Sequence, residues 1–251
     1  MDPFFSRRED YGDWYISNRH APAYEEYFSQ HRPDYVFITH GHFDHFDLEA
    51  VRRIQEALSP TFLGSREVVA TLQRYFNPPG DKLVTVESGR PVNLGGMSLE
   101  AREGVHWLTG EEASRTAEKL AQRPDRYGVL PCGGPMLGFI LTTPEGRVYA
   151  SGDTEPAGVP AEKVDVAILN LGEATLHPST KEKAYPTLRP SQAAQVIRDV
   201  LQPRVVIPIH YEFEVFVEPT DIEAFRAAVE QSPPYPRVVI APFNQWIEVN
   251  P

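Results

Sequence analysis

Apolar residues recur along this chain with two periods that alternate. The run Tyr35-Val36-Phe37-Ile38-Thr39 is nearly continuous, as in a strand covered on both faces. From Leu48 the spacing changes. Leu48, Val51, Ile54 and Leu58 recur every three or four residues, which predicts a helix capped by Asp47 and ended by Pro60. Residues 61–63 read as a short strand. Ser65 caps a second predicted helix that reaches about Tyr75, with Val68, Val69 and Leu72 inward. A strand over 83–86 follows.

The middle changes style. Residues 92–94 and 97–102, joined at Gly95-Gly96, predict a hairpin, and 137–143 and 148–150, joined at Pro144-Glu145-Gly146, predict another. Between them, 109–136 is polar and punctuated by Pro and Gly, as an insertion or mobile loop over a site would be, with 111–122 a candidate helix. Further strands are predicted at 164–169, 205–209, 237–240 and 246–249. Pro190 opens a helix to Leu201, after a loop over 172–189. Thr220 caps another helix holding Ile222, Phe225 and Val229. Mixed βα and hairpin order suits two packed sheets with helices outside, in an α/β (or α+β) chain forming a single domain over 1–251.

Composition narrows the picture. At 251 residues and 41% hydrophobic, the chain can bury a sizeable core. No stretch approaches the roughly 20 apolar residues of a membrane span, and residues 1–8 contain no apolar core of signal-peptide length. The single cysteine, Cys132, excludes an intrachain disulfide, which fits a cytoplasmic location. A net charge of −11 repels long nucleic acids but permits a small anion where metals make a site locally positive.

The densest chemistry lies directly after the first strand. Thr39-His40-Gly41-His42-Phe43-Asp44-His45 holds three of the chain's eight histidines and a carboxylate. Imidazole nitrogen and carboxylate oxygen are ligands of zinc, manganese and iron. Three further candidates follow apolar strands: His106 in Gly104-Val105-His106-Trp107, Asp153 in Ser151-Gly152-Asp153-Thr154, and His210 in Pro208-Ile209-His210-Tyr211. Loops at strand ends converge on one edge of a sheet, where sites collect.

In this order, His40, His42, Asp44, His45, His106, Asp153 and His210 resemble the ligands of the metallo-β-lactamase-fold superfamily. Asp2-Pro3-Phe4-Phe5-Ser6 is similar to the family's Asp-Pro segment closing an early strand. His106-Trp107 and Gly138-Phe139-Ile140 resemble the N-acyl-phosphatidylethanolamine phospholipase D branch. Gly152-Asp153-Thr154, Pro208-Ile209-His210-Tyr211 and Thr187-Leu188-Arg189-Pro190 resemble the ascorbate-6-phosphate lactonase-like branch. The resemblance implies a four-layer αββα sandwich of two mixed sheets with outer helices. The family's usual pair of strands before the Asp-Pro segment has no counterpart here, so either this hairpin is missing or the chain starts inside a longer one. A missing hairpin would expose a sheet edge that invites a homo-oligomer.

The resemblance also assigns roles. One metal takes His40, His42 and His106, the second takes Asp44, His45 and His210, and Asp153 bridges them. A water shared by two divalent ions, zinc first among the candidates, would lose its proton near neutral pH and attack an ester, lactone, amide or phosphodiester of a small or lipid-like substrate. Tyr211 either donates to a developing oxyanion or packs. His177 either protonates the leaving group or sits in a surface loop. Glu173 stands where it can accept from a histidine N–H. The competing readings are a tRNA 3′-processing type phosphodiesterase, a persulfide dioxygenase, and a non-catalytic metal-bound binding protein. The acidic balance argues against the first, and the complete ligand set against the last.

Overall fold

The computed structural model describes residues 1–5, 20–106, 133–176, 181–212, 216–243, 245 and 247–249. The predicted helix at 111–122, with Trp107, Cys132 and His177, lies outside these residues. The chain forms two compact units, one of residues 1–86 and 108–135, the other of 87–107 and 136–251. Among the described residues, no helix is long and apolar enough to cross a membrane.

In the first unit, α1 (Tyr24–Gln30) precedes β1 (Tyr35–Phe37), α2 (Leu48–Leu58), β2 (Thr61–Gly64), α3 (Arg66–Phe76) and β3 (Leu83–Thr85). The strands pair in parallel in the order β1-β2-β3. Asp47 caps α2 as expected, its Oδ1 accepting from Ala50 N at 3.1 Å, and Ser65 caps α3 from Val68 N at 3.2 Å. The other Asp47 oxygen accepts from Phe5 N at 3.0 Å, so one carboxylate both starts a helix and ties down a distant segment. Val51 and Ile54 of α2 and Val68 and Leu72 of α3 pack against Val36, Ile38 and Phe62. Each such side chain contributes about 1.5–3 kcal/mol when fully buried, an upper figure for a chain already partly collapsed when unfolded.

The second unit holds β4 (Val92–Asn93), β5 (Ser98–Glu103), β6 (Leu137–Thr143), β7 (Gly146–Ala150), β8 (Val166–Asn170), β9 (Thr175–Leu176), β10 (Lys183–Ala184), α4 (Pro190–Val196), β11 (Val205–Ile209), α5 (Ile222–Glu230) and β12 (Arg237–Val238). A sheet runs β12-β11-β8-β7-β6-β5-β4. The pairs β4/β5, β5/β6 and β6/β7 are antiparallel, while β7/β8, β8/β11 and β11/β12 are parallel. β5, β7, β8 and β11 therefore point the same way, and their carboxyl ends share one edge. The apolar runs of β8 and β11 reflect cover on both faces. Ala167, Leu169 and Val206 face a core with Ala193, Ile197 and Phe225, whereas Val166, Val205 and Ile207 meet Val239, Ala241, Ile247 and Val249.

Three expectations need correcting. The cap of α5 is Asp221, which accepts from Ala224 N at 2.9 Å, rather than Thr220; the carboxylate one residue later satisfies an orphan N–H of the helix's first turn. The helix from Pro190 becomes a π turn over Ile197–Leu201, closed by Gln202 N donating to Ile197 O at 2.9 Å. Ile247–Val249 form no strand, although Ile247 and Val249 pack on the sheet as predicted apolar residues should. The 172–189 loop also contains the small antiparallel ladder β9/β10.

Candidate metal centre

In the first unit the chain leaves β1 at Thr39 and turns tightly, with His45 N and Phe46 N both donating to His42 O. His40 and His45 are buried. His45 Nδ1 lies 3.0 Å from Asp2 Oδ2. An ionised carboxylate only accepts, so Nδ1 carries the proton and Nε2 is left basic. Thr39 Oγ1 lies 2.9 Å from the same Asp2 oxygen and 2.9 Å from His40 Nδ1. Its one proton goes to Asp2, so it accepts from His40 Nδ1–H and leaves His40 Nε2 basic as well. Asp2 thus sets two tautomers, directly and through Thr39, while its Oδ1 accepts from Thr39 N at 2.7 Å.

The basic nitrogens so exposed have company. His40 Nε2 faces His42 Nδ1 at 2.8 Å, and His45 Nε2 lies 3.4 Å from Asp44 Oδ2. Two ring nitrogens this close need a proton or a cation between them. The His40 and His45 rings sit 4.2 Å apart, and those of His40 and His42 4.6 Å apart. Gly133 forms the wall. Its O accepts from Gly41 N at 2.7 Å, its φ is +77°, and a Cβ there would come within 2.6 Å of His40 Cδ2. Only glycine brings backbone this close in that conformation.

In the second unit His106, Asp153 and His210 follow β5, β7 and β11, whose carboxyl ends share an edge. His106 Nδ1 donates to Pro186 O at 2.7 Å, leaving Nε2 basic. Gly152, at φ +57°, turns the chain so that Asp153 is buried. Asp153 Oδ1 accepts from Asn170 Nδ2 at 2.7 Å, and its Oδ2 lies 3.7 Å from His210 Nε2. Asp153 and His210 offer donor atoms within 4.8 Å of each other, as do Asp44 and His45 in the first unit. Val105 N donates to Thr154 Oγ1 at 2.9 Å, which ties the His106 and Asp153 segments together. His210 itself has φ +71°, a strained backbone for a non-glycine residue that its surroundings must enforce.

The other candidates are placed as follows. Tyr211 is partly buried against the core of the second unit, and burial pushes its phenol above the ordinary value, with Glu212 and Glu223 adding to the effect. Burial, then Glu218, pushes the Glu173 carboxyl up, opposed by Arg189. Within the histidine turn of the first unit, Phe43, which carried no assigned role, makes an edge contact with Phe4 at 6.2 Å. The role-setting groups that sequence reasoning passed over are Asp2, Thr39, Asn170 and the Pro186 carbonyl. Asp2 carried a signal in its Asp-Pro context. A backbone carbonyl carries none.

Buried His40 and His45 in the first unit, and partly buried His106 in the second, thus each have one ring nitrogen anchored and the other basic, and carboxylates lie in both units. That donor set suits a borderline divalent cation. The profile of the beta-lactamase superfamily domain matches residues 1–211. The chain belongs to this superfamily. It is 30% identical over 225 residues to a metal-dependent hydrolase of Pyrobaculum calidifontis, covering 87% of this chain and 82% of that one. A metal-dependent hydrolase of Methanopyrus kandleri is 30% identical over 199 residues, covering 79% and 75%. Among solved structures, a metallo hydrolase of Ignicoccus hospitalis aligns with a TM-score of 0.61 at 20% identity, covering 92% and 84%. That likeness shows the shared fold. The protein therefore has the metallo-β-lactamase fold and stands among metal-dependent hydrolases.

Proposed function

We propose that this protein is a two-metal hydrolase cleaving an ester, lactone or phosphodiester of a small or lipid-like substrate. The assignment of ligands follows the family resemblance: His40, His42 and His106 for one ion, Asp44, His45 and His210 for the other, and Asp153 for both. The observation that carries this reading is the shared anchoring of His40 and His45 by Asp2, which leaves a basic nitrogen on each ring. Zinc fits this nitrogen-rich set best, with manganese and iron next. When bound, such ions supply an activated water and polarise the attacked oxygen.

The chain's own groups do the rest. Asp2 and the Pro186 carbonyl hold ring protons away from the ligand nitrogens. Asp44 and Asp153 bring the negative charge that five neutral imidazoles cannot. As the water oxygen bonds to carbon or phosphorus, the bond to the leaving oxygen breaks and that oxygen takes up a proton. We assign this delivery to His177. Tyr211 is assigned to donate to the developing oxyanion.

The test is a panel of a 4-nitrophenyl ester, a γ-lactone and bis(4-nitrophenyl) phosphate, assayed before and after chelation and after adding back zinc or manganese. Hydrolysis of at least one substrate, lost on chelation and restored by metal, is expected. A metal-loaded protein inert on all three would overturn the reading.

A further inference from the structure

We propose that Arg189, laid over the exposed ring of Tyr185 on the segment whose Pro186 carbonyl fixes His106, receives an anionic oxygen group of the substrate. The inference rests on the hydrolase reading above and adds a substrate class to it.

Three observations within the second unit carry it. First, no carboxylate among the described residues forms an ion pair with the Arg189 guanidinium. Its carbon stands 4.6 Å from the Tyr185 ring centroid, a cation–π contact that supplies its N–H fork with no acceptor. Its Nε is shut off from solvent and has no acceptor among the described residues. A buried donor left in this state is costly unless something fills the place. Several other arginines are spent on carboxylates: Arg52 on Glu49 and Glu56, Arg102 on Glu100 and Glu162, Arg198 on Asp199.

Second, the nearby carboxylates are not used to neutralise it. Glu218 is committed to Lys183. Glu173 is close enough to feel the charge of Arg189 but makes no ion pair with it. In a chain of net charge −11, a guanidinium with no carboxylate partner among the described residues is the kind of local cation that an anionic substrate needs.

Third, the segment is tied to the ligand residues. Pro186 O accepts from His106 Nδ1 at 2.7 Å, three residues before Arg189. Gly172 N donates to Leu188 O at 3.0 Å, and Gly172 follows β8, whose last residue Asn170 holds Asp153. Arg189 is therefore a specificity residue on the same scaffold as His106 and Asp153. A planar guanidinium fork suits a carboxylate or a phosphate.

The experiment compares mono-4-nitrophenyl glutarate with 4-nitrophenyl butyrate on metal-loaded protein, and measures binding of monomethyl glutarate by calorimetry. Arg189→Met keeps the stem and removes the fork; Arg189→Lys keeps the charge alone and guards against a Met variant that does not fold. The expected result is a fall of about 10–100-fold in the glutarate-to-butyrate ratio of kcat/KM for Arg189→Met, smaller for Arg189→Lys, with a matching loss in monomethyl glutarate affinity. An unchanged ratio and unchanged affinity in a folded variant would overturn the assignment while leaving the hydrolase intact. If the wild-type protein hydrolyses neither ester, the binding arm alone decides on Arg189, and the three-substrate panel with chelation decides on the hydrolase reading. A wild-type protein with no measurable affinity for monomethyl glutarate decides against it.

Discussion

Asp2 Oδ2 accepts from His45 Nδ1 at 3.0 Å, across more than forty residues of chain. The same oxygen takes the Thr39 hydroxyl proton at 2.9 Å, and Thr39 in turn orients His40. One carboxylate therefore governs which nitrogen two histidines present. An amide cannot repeat this: with its NH₂ toward His45 it donates to Nδ1 and places the ring proton on Nε2, and with its oxygen there its NH₂ faces the Thr39 N–H that Asp2 Oδ1 accepts from. Asp2→Asn should weaken metal binding about 10–100-fold, read by competition against a chelator of known affinity. Unaltered affinity would show that Asp2 is only a structural tie.

Asp153 depends on Asn170, whose amide donates to its Oδ1 at 2.7 Å inside the sheet edge. Asn170→Ala removes that donor from a buried carboxylate. We expect a loss of about 1–3 kcal/mol in urea unfolding of the metal-free protein, from the unsatisfied oxygen. Metal affinity should fall about tenfold as the carboxylate loses its fixed direction. Loss of stability with full metal affinity would remove Asn170 from the site.

Gly133 tests the shape of the histidine wall. Alanine there would occupy a left-handed conformation and press on His40 at 2.6 Å. The backbone alone should cost about 1–2 kcal/mol. The displaced ring should lower metal affinity further, and metal titration of Gly133→Ala against wild type reads it. Wild-type binding and stability would contradict the close approach.

A pH effect follows from Glu162, away from the metal ligands. Hydrogen bonds from Arg147, and then from Arg102 at 2.8 Å, hold its carboxyl below the ordinary value against the opposing effect of burial. A carboxylate with a depressed folded-state pKa stabilises fully above the ordinary value of 4.5, and this is lost as pH falls through the lower folded value. Glu162→Gln should cost about 1 kcal/mol at pH 7, since the group is partly exposed. The difference should shrink as pH falls through that lower folded value and be gone well below it in urea unfolding. A gap that persists there would mean that the effect is packing rather than charge.

Much of this was legible in the chain because the signals are local. The strand before His40, the Asp47 and Ser65 caps and both hairpins follow from periodicity and turn residues within ten positions. The helix Tyr24–Gln30 was missed because none of its residues is fully buried, so it has no clean apolar stripe to read. The ladder of Thr175–Leu176 with Lys183–Ala184 is too short to show a period. The seven candidate ligands were visible through residue type and position after strands. Their orientation was not, because it depends on partners far off in sequence: Asp2 for His45, Pro186 for His106, Asn170 for Asp153. Such contacts belong to the fold, and a pattern within one segment does not encode them.

The central claim is that the anchored histidines and the carboxylates beside them hold metal. Elemental analysis of the purified protein, wild type beside Asp153→Ala, tests this most directly. About two divalent ions per chain are expected in the wild type, with a marked loss in the variant. A wild-type protein that stays metal-free after incubation with zinc, manganese and iron, or a variant that keeps its full complement, would contradict it.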